Sequence, residues 1–254
     1  REGIVFLQKG KNDYTISLTG DHSCYDSDFV STTLSAAEAS GQTVLSVTSS
    51  TGMTASDNVG ILLDSGTRQW TTIVSVDSST QITVTDALTG DAASGKSVFT
   101  YTTKLDRPSA VSQIRRRTYN TDSEIDLCQV SRKEYFSQTT KTTNGTPLLY
   151  YYDPQRTTGQ LRVWQPTDNE DRYLRVTIQK YMDDLDSNND DIEIPKEWFE
   201  CVVYNLASRI AGIYTIPQQR KLDIDNMASF YLDMALSHDN EPVGIRLIPS
   251  NRRC

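Results

Sequence analysis

Residues 59–90, VGILLDSGTRQWTTIVSVDSSTQITVTDALTG, limit the fold more than any other stretch. Val, Ile and Thr recur in short alternations, broken by Asp64-Ser65-Gly66 and Asp77-Ser78-Ser79. Branched residues suit a pleated, half-buried backbone, and the Asp/Ser/Gly clusters suit the turns between strands. In WTTIVSV the apolar set Trp70, Ile73, Val74 and Val76 slips phase once, which fits either a bulge or a strand buried on both faces. The pattern begins at Thr32 and runs out at SVFTYTTKLDRP, where Pro108 interrupts it. Residues 32–103 are therefore expected to form an inserted antiparallel β-module. Residues 1–31 and 104–243 then make up a discontinuous core domain, and 244–254 a C-terminal docking tail.

The flanking chain changes period twice. GIVFLQKGKNDYTISL reads as two strands in a hairpin-like opening around Gly10-Lys11-Asn12-Asp13. TPLLYYYD and GQLRVWQ read as strands about a turn at Asp153-Pro154-Gln155, and RYLRVTIQKYM alternates Leu174, Val176 and Ile178 with polar neighbours. After Glu193 the spacing becomes three and four: Trp198, Cys201, Val202, Asn205, Leu206, Arg209 and Ile210. Pro195 suits the start of that helix, because a first-turn N–H has no intrahelical acceptor to lose. Pro217 opens a second pattern through Leu222, Ile224, Met227, Phe230, Tyr231, Met234 and Ala235. The fold class expected is α+β: a helical-hairpin core carrying an inserted antiparallel β-module.

Charge and motif content narrow the chemistry. With 33 Asp and Glu against 25 Lys and Arg the formal net charge is -8, which argues against a DNA-wrapping surface. No apolar run approaches the roughly 18 residues that a membrane-spanning helix needs, so no membrane partner is expected. Cys24, Cys128, Cys201 and Cys254 are dispersed without a CxxC pair, and reduced thiols are expected. The two histidines, His22 and His238, sit among polar residues, and no nucleophile, phosphate-loop or dinucleotide motif is present. Neither catalysis nor a cofactor is expected. In DLDSNNDDIEIP, Asp184, Asp186, Asn188 and Asp190 occupy alternating positions like the start of a calcium loop, but Asn189 stands where the turn needs Gly and Pro195 where a bidentate Glu belongs. An acidic loop of Asp183, Asp184, Asp186, Asp190 and Asp191, at a channel or rim, is the better expectation, and no metal is assigned.

Three features instead look for a protein neighbour. Arg115-Arg116-Arg117 is the densest basic cluster, with Arg132-Lys133 beyond it. Its two readings are a solvated strand edge and an electrostatic match to an acidic partner. Tyr150-Tyr151-Tyr152 on a strand must send rings to both faces, one to a core and one to a neighbour. Gly244, Ile245, Arg246, Leu247 and Ile248 form an apolar segment too short to build its own core. These residues are the expected subunit and partner contacts.

Several long segments resemble one family, the head-to-tail adaptor (connector) proteins of short-tailed bacteriophages, of the tail-accessory or head-completion kind. The resemblance rests on STGMTASDNVGILLDSGTRQWTTIVSVDSSTQITVTDALTGDAASGKSVFTY, then RKEYFSQTTKTTNGTPLLYYYDPQ and GQLRVWQP, then IEIPKEWFECVVYNLASRIAGIY. It covers residues 1 to about 250. It implies a homo-oligomeric ring, usually of twelve subunits, at the virion neck, assembled in the host cytoplasm. The implied partners are the portal protein on one side and the tail nozzle or tubular tail protein on the other. Tail fibres would meet the β-module, and genomic DNA would pass through the channel without sequence-specific binding. The segment 244–248 would reach into the portal. In the family, helices precede a sequence like REGIVFLQKG. The competing expectation is another tail structural subunit, such as a baseplate or fibre-attachment protein.

Overall fold

The computed structural model describes residues 1–119, 121, 123–180, 194–214 and 216–238. The chain divides into two compact units, the first spanning residues 1–181 and the second the chain that follows, described through its helices. This division cuts across the expected core domain, which joined the strands of 104–179 to the helices.

The first unit is built from three sheets. One sheet runs β11 (Glu124–Asp126), β10 (Ala110–Thr118), β15 (Arg172–Gln179), β1 (Glu2–Phe6) and β3 (Ser23–Tyr25). A second runs β12 (Cys128–Gln129), β13 (Leu149–Pro154), β14 (Gly159–Trp164) and β2 (Asp13–Ile16). These two face each other as a sandwich. Alternation puts Val5, Ile114, Leu174 and Val176 from one sheet against Tyr14, Tyr150, Leu161 and Val163 from the other, all in one buried cluster. The opening strands are therefore not a hairpin: β1 pairs with β15 and β3, while β2 pairs with β14. The turn at Gly10 carries the chain from one layer to the other, with Gly10 at φ 77.

The third sheet uses only residues 30–101, in the order β4 (Val30–Thr33), β9 (Ser97–Tyr101), β6 (Asn58–Leu62), β7 (Arg68–Ser78), β8 (Gln81–Val84) and β5 (Val44–Ser46). It curls until its edges meet, with Ser35 N donating to Ser46 O at 2.9 Å and Thr48 N to Thr33 O at 2.8 Å. Leu45, Val59, Ile61, Ile73, Ile82 and Val98 fill the roll. β4 and β9 pair in register, Val30 opposite Thr100, so both ends of the module leave side by side. The phase slip in WTTIVSV is a bulge, since the β7–β8 register shifts between Ile73 and Ser75 and leaves Val74 exposed.

The expected α+β fold with a helical-hairpin core is corrected here: the protein is mainly β, with 38% strand against 20% helix. The reason lies in what each period buries. Period-two alternation along β1, β2, β10, β13, β14 and β15 fills a core between two sheets, whereas the helical stripes leave most of their large residues exposed. A short helix, α1 (Arg132–Ser137), follows β12 and opens with a capping box in which Ser131 and Glu134 bond reciprocally. In the second unit, α2 (Phe199–Ala211) and α3 (Gln218–His238) form the hairpin expected from the spacing, each within a few residues of the bounds read from sequence.

Candidate functional site

The module meets the sandwich through an aromatic layer. The face of β1 opposite the sandwich core presents Ile4 and Phe6, which join Cys24, Tyr173, Phe99 and Tyr101, with Phe29 and Trp70 packed at the margin. Phe6 lies 4.9 Å from Trp70 and 5.6 Å from Phe99, ring centre to ring centre. His22 stacks on Trp70 at 4.0 Å and shares a 2.6 Å hydrogen bond between its Nδ1 and the Tyr101 hydroxyl. Burial, then the nearby Lys104, pushes its pKa down from 6.5 to about 4. The polar setting expected for His22 is replaced by an aromatic one, because Trp70 and Tyr101 come from the module and cover it.

Beside this layer a single guanidinium binds both parts. Arg68 at the start of β7 is buried, and its Nη1 donates to Gly60 O at 2.9 Å while its Nη2 donates to Ser97 Oγ at 2.7 Å. Nη2 also reaches Glu170 O at 3.4 Å and Asp171 Oδ1 at 3.5 Å, across the module boundary. The Glu170 carboxylate accepts from Arg68 N at 2.6 Å and from Lys9 N at 2.8 Å. Burial lowers the Arg68 pKa to about 10, with Asp171 and Glu170 opposing, so the group stays charged at neutral pH. Gly60 is required beneath it: a Cβ there would stand 2.9 Å from both the Arg68 Cδ and the Trp70 ring. Sequence reasoning missed this lock, since Arg68 and Glu170 are 102 residues apart and neither belongs to a motif.

The arginine cluster lies on β10, where alternation sends Arg115 and Arg117 to one face and Arg116 to the other. Arg115 bonds Glu2 and, at 3.0 Å, Glu124; Arg117 reaches Glu124 at 3.5 Å. Arg175 on the adjoining strand pairs with Asp26 at 2.5 Å and Glu124 at 3.0 Å. Three arginines thus share three carboxylates across β1, β10, β11, β15 and the turn that follows β3, and Arg116 donates to Pro147 O at 3.0 Å. Much of the charge expected to attract a partner is spent within the chain. The tyrosine triplet divides as alternation requires. Tyr150 and Tyr152 are buried in the sandwich core, which takes them out of reach of a partner and leaves Tyr151 half-buried on the outer face. The acidic loop residues Asp183, Asp184, Asp186, Asp190 and Asp191 and the docking segment Gly244, Ile245, Arg246, Leu247 and Ile248 lie outside the described residues. Cys24 and Cys201 are free and buried, whereas Cys128 is disulfide-bonded, against the expectation of reduced thiols throughout.

Among the described residues, both helices of the hairpin leave large apolar side chains exposed. Its seam is made of small residues, Cys201, Ala211, Ala228 and Ala235, with Tyr204 stacked on Tyr231 at 5.0 Å. Close approach along that seam turns the larger residues outward. Phe199 is 57% exposed, Leu206 55% and Phe230 60%, and Val203, Ile210, Leu222, Met227 and Met234 are exposed with them. The stripe read from the sequence as a packed face is thus two faces, one closed by alanines and one open. No family model, curated protein or solved structure matches the chain.

Proposed function

We propose that the chain is a structural virion protein that self-associates into the ring joining the capsid portal to the tail, seals the DNA-filled head and lines part of the ejection channel. The observation that carries this reading is the exposed apolar surface on both helices of the hairpin. Apolar faces of this extent mark association surfaces, because water contact with Phe199, Leu206 and Phe230 is costly and burial against a neighbour removes it. A subunit built to assemble fits such a surface, and the long ordered likeness to phage adaptors names the assembly. The acidic balance of the chain suits a DNA conduit, where each cation facing a phosphate would add affinity that hinders passage. Co-expression with the cognate portal protein tests the reading. The wild-type chain should co-purify as a closed ring on the portal, and a chain with Leu206→Asp and Phe230→Asp should not. A chain that never associates with portal or tail components contradicts it.

A further inference from the structure

The short helix α1 lies on the outer face of the four-stranded sheet, with Tyr135 buried and 6.4 Å from the Tyr151 ring. The next residue, Phe136, is 47% exposed and ringed by cations. The Lys141 ammonium stands 4.5 Å from its ring centre, the Arg162 guanidinium 4.9 Å and that of Arg132 5.8 Å. Arg162 is paired with Asp13 at 3.1 Å. Among the described residues, Arg132 and Lys141 have no carboxylate within ion-pair distance, and Lys133 adds a further exposed cation. The Glu134 carboxylate is turned away to cap Ser131 N at 2.8 Å. An acidic chain therefore presents a local cationic surface with an apolar centre.

The opposite end of the same unit has the reverse sign. Its layers run from the β-module, through the aromatic junction to the five-stranded sheet, then through the sandwich core to the four-stranded sheet and α1. Residues 32–103 hold six Asp and Glu against two Lys and Arg, and one of those two, Arg68, is buried. Asp77, Asp86 and Asp91 are exposed there, while Asp64 is paired with Lys96 at 3.2 Å, and Val74 and Val44 are exposed apolar residues on the same module. We propose that the Phe136 cation cluster docks the acidic β-module of a second copy of this chain, so that copies join head to tail. Complementary surfaces at different places on one subunit make a heterologous contact, the kind that closes into a ring when the rotation between copies allows. Opposite charge sets the register of such a contact and speeds its formation, and Phe136 supplies an apolar anchor at its centre. The contact rests on the self-association proposed above and names a second surface for it, apart from the hairpin.

Charge exchange tests it in the full-length chain by sedimentation velocity at low salt. One variant carries Arg132→Glu and Lys141→Glu; the other carries Asp77→Lys and Asp86→Lys, and thermal melts establish that both fold. Each alone should self-associate roughly tenfold more weakly than wild type, since like charges then face one another. Mixed together they should associate again, because each reversed surface meets a complementary one. Phe136→Ala, which leaves the charge unchanged, should weaken association in the same direction, and added salt should weaken the wild type. Unchanged association of the Arg132/Lys141 variant overturns the contact, as does a mixture that fails to recover or a wild-type chain that stays monomeric. Binding of double-stranded DNA by the wild type that the Arg132/Lys141 variant loses, with its self-association intact, overturns it too, by making the patch a nucleic-acid surface. Docking of that variant on the portal as a normal ring leaves the ring reading standing while removing this contact.

Discussion

Arg68 shows how much one side chain can carry. Its charge is kept in the interior by Asp171, by Ser97 and by the carbonyls of Gly60 and Glu170, and its guanidinium lies 3.8 Å from the Phe99 ring centre. Removing one partner of a buried, hydrogen-bonded charge leaves the other uncompensated. Arg68→Met is expected to destabilise the protein by about 3 kcal/mol in urea unfolding. His22 carries a second residue-scale expectation, and its sign follows from its neutral state in the fold. Its pKa is about 4 when folded against 6.5 when free, so the unfolded chain binds more protons between those values. Stability from His22 is present above pH 6.5 and is lost as the pH falls toward 4. Lowering the pH from 7 to 5 should cost about 1–2 kcal/mol after allowance for partial solvent access, and His22→Gln should remove that share of the loss. Neither residue announces itself in the sequence. GTRQW looks like the end of a turn, and the groups that bury Arg68 arrive from strands whose pairing the local pattern does not encode.

At the scale of elements, local chemistry was legible and partner choice was not. Pro195, Pro217 and the three/four spacing locate α2 and α3 within a few residues, because helix limits are set by near neighbours. The strands β13, β14 and β15 follow from alternation in the same way. The spacing could not say which side of each helix would be covered. Alanines and a cysteine at the seam let the helices close on each other, which left the phenylalanines and leucines outside. The opening strands failed for a related reason: a turn at Gly10 is consistent with a hairpin or with a crossing between sheets, and only distant β15 and β14 decide. Helix content should be unchanged by Leu206→Asp with Phe230→Asp, since both residues are exposed, and circular dichroism of the purified variant checks this. A large loss of ellipticity would mean that these residues hold the hairpin itself.

For the whole molecule, the inserted segment is both a roll with its own core and a layer fused to its neighbour. Its paired end strands make excision simple to build, with Thr33 and Ser97 opposite one another in register. Excision would nevertheless uncover Ile4, Phe6 and Tyr173 on the five-stranded sheet, all of them buried in the intact chain. A chain with 34–96 replaced by a short linker is therefore expected to lose stability and aggregate, by lower melting temperature and light scattering. Retained solubility and an unchanged melt would show that the junction contributes little. The sequence indicated a β-rich segment with closely placed ends, but not the aromatic weld, which needs Phe6, His22, Trp70, Phe99, Tyr101 and Tyr173 brought together from five separate stretches. The central claim, that copies of this chain form the collar between portal and tail, is tested most directly by cryo-electron microscopy of the intact particle. The proposed function expects a closed ring at the neck, on the portal axis, whose density fits the sandwich and its β-module. A three- or six-fold peripheral position, away from the portal axis, would contradict it.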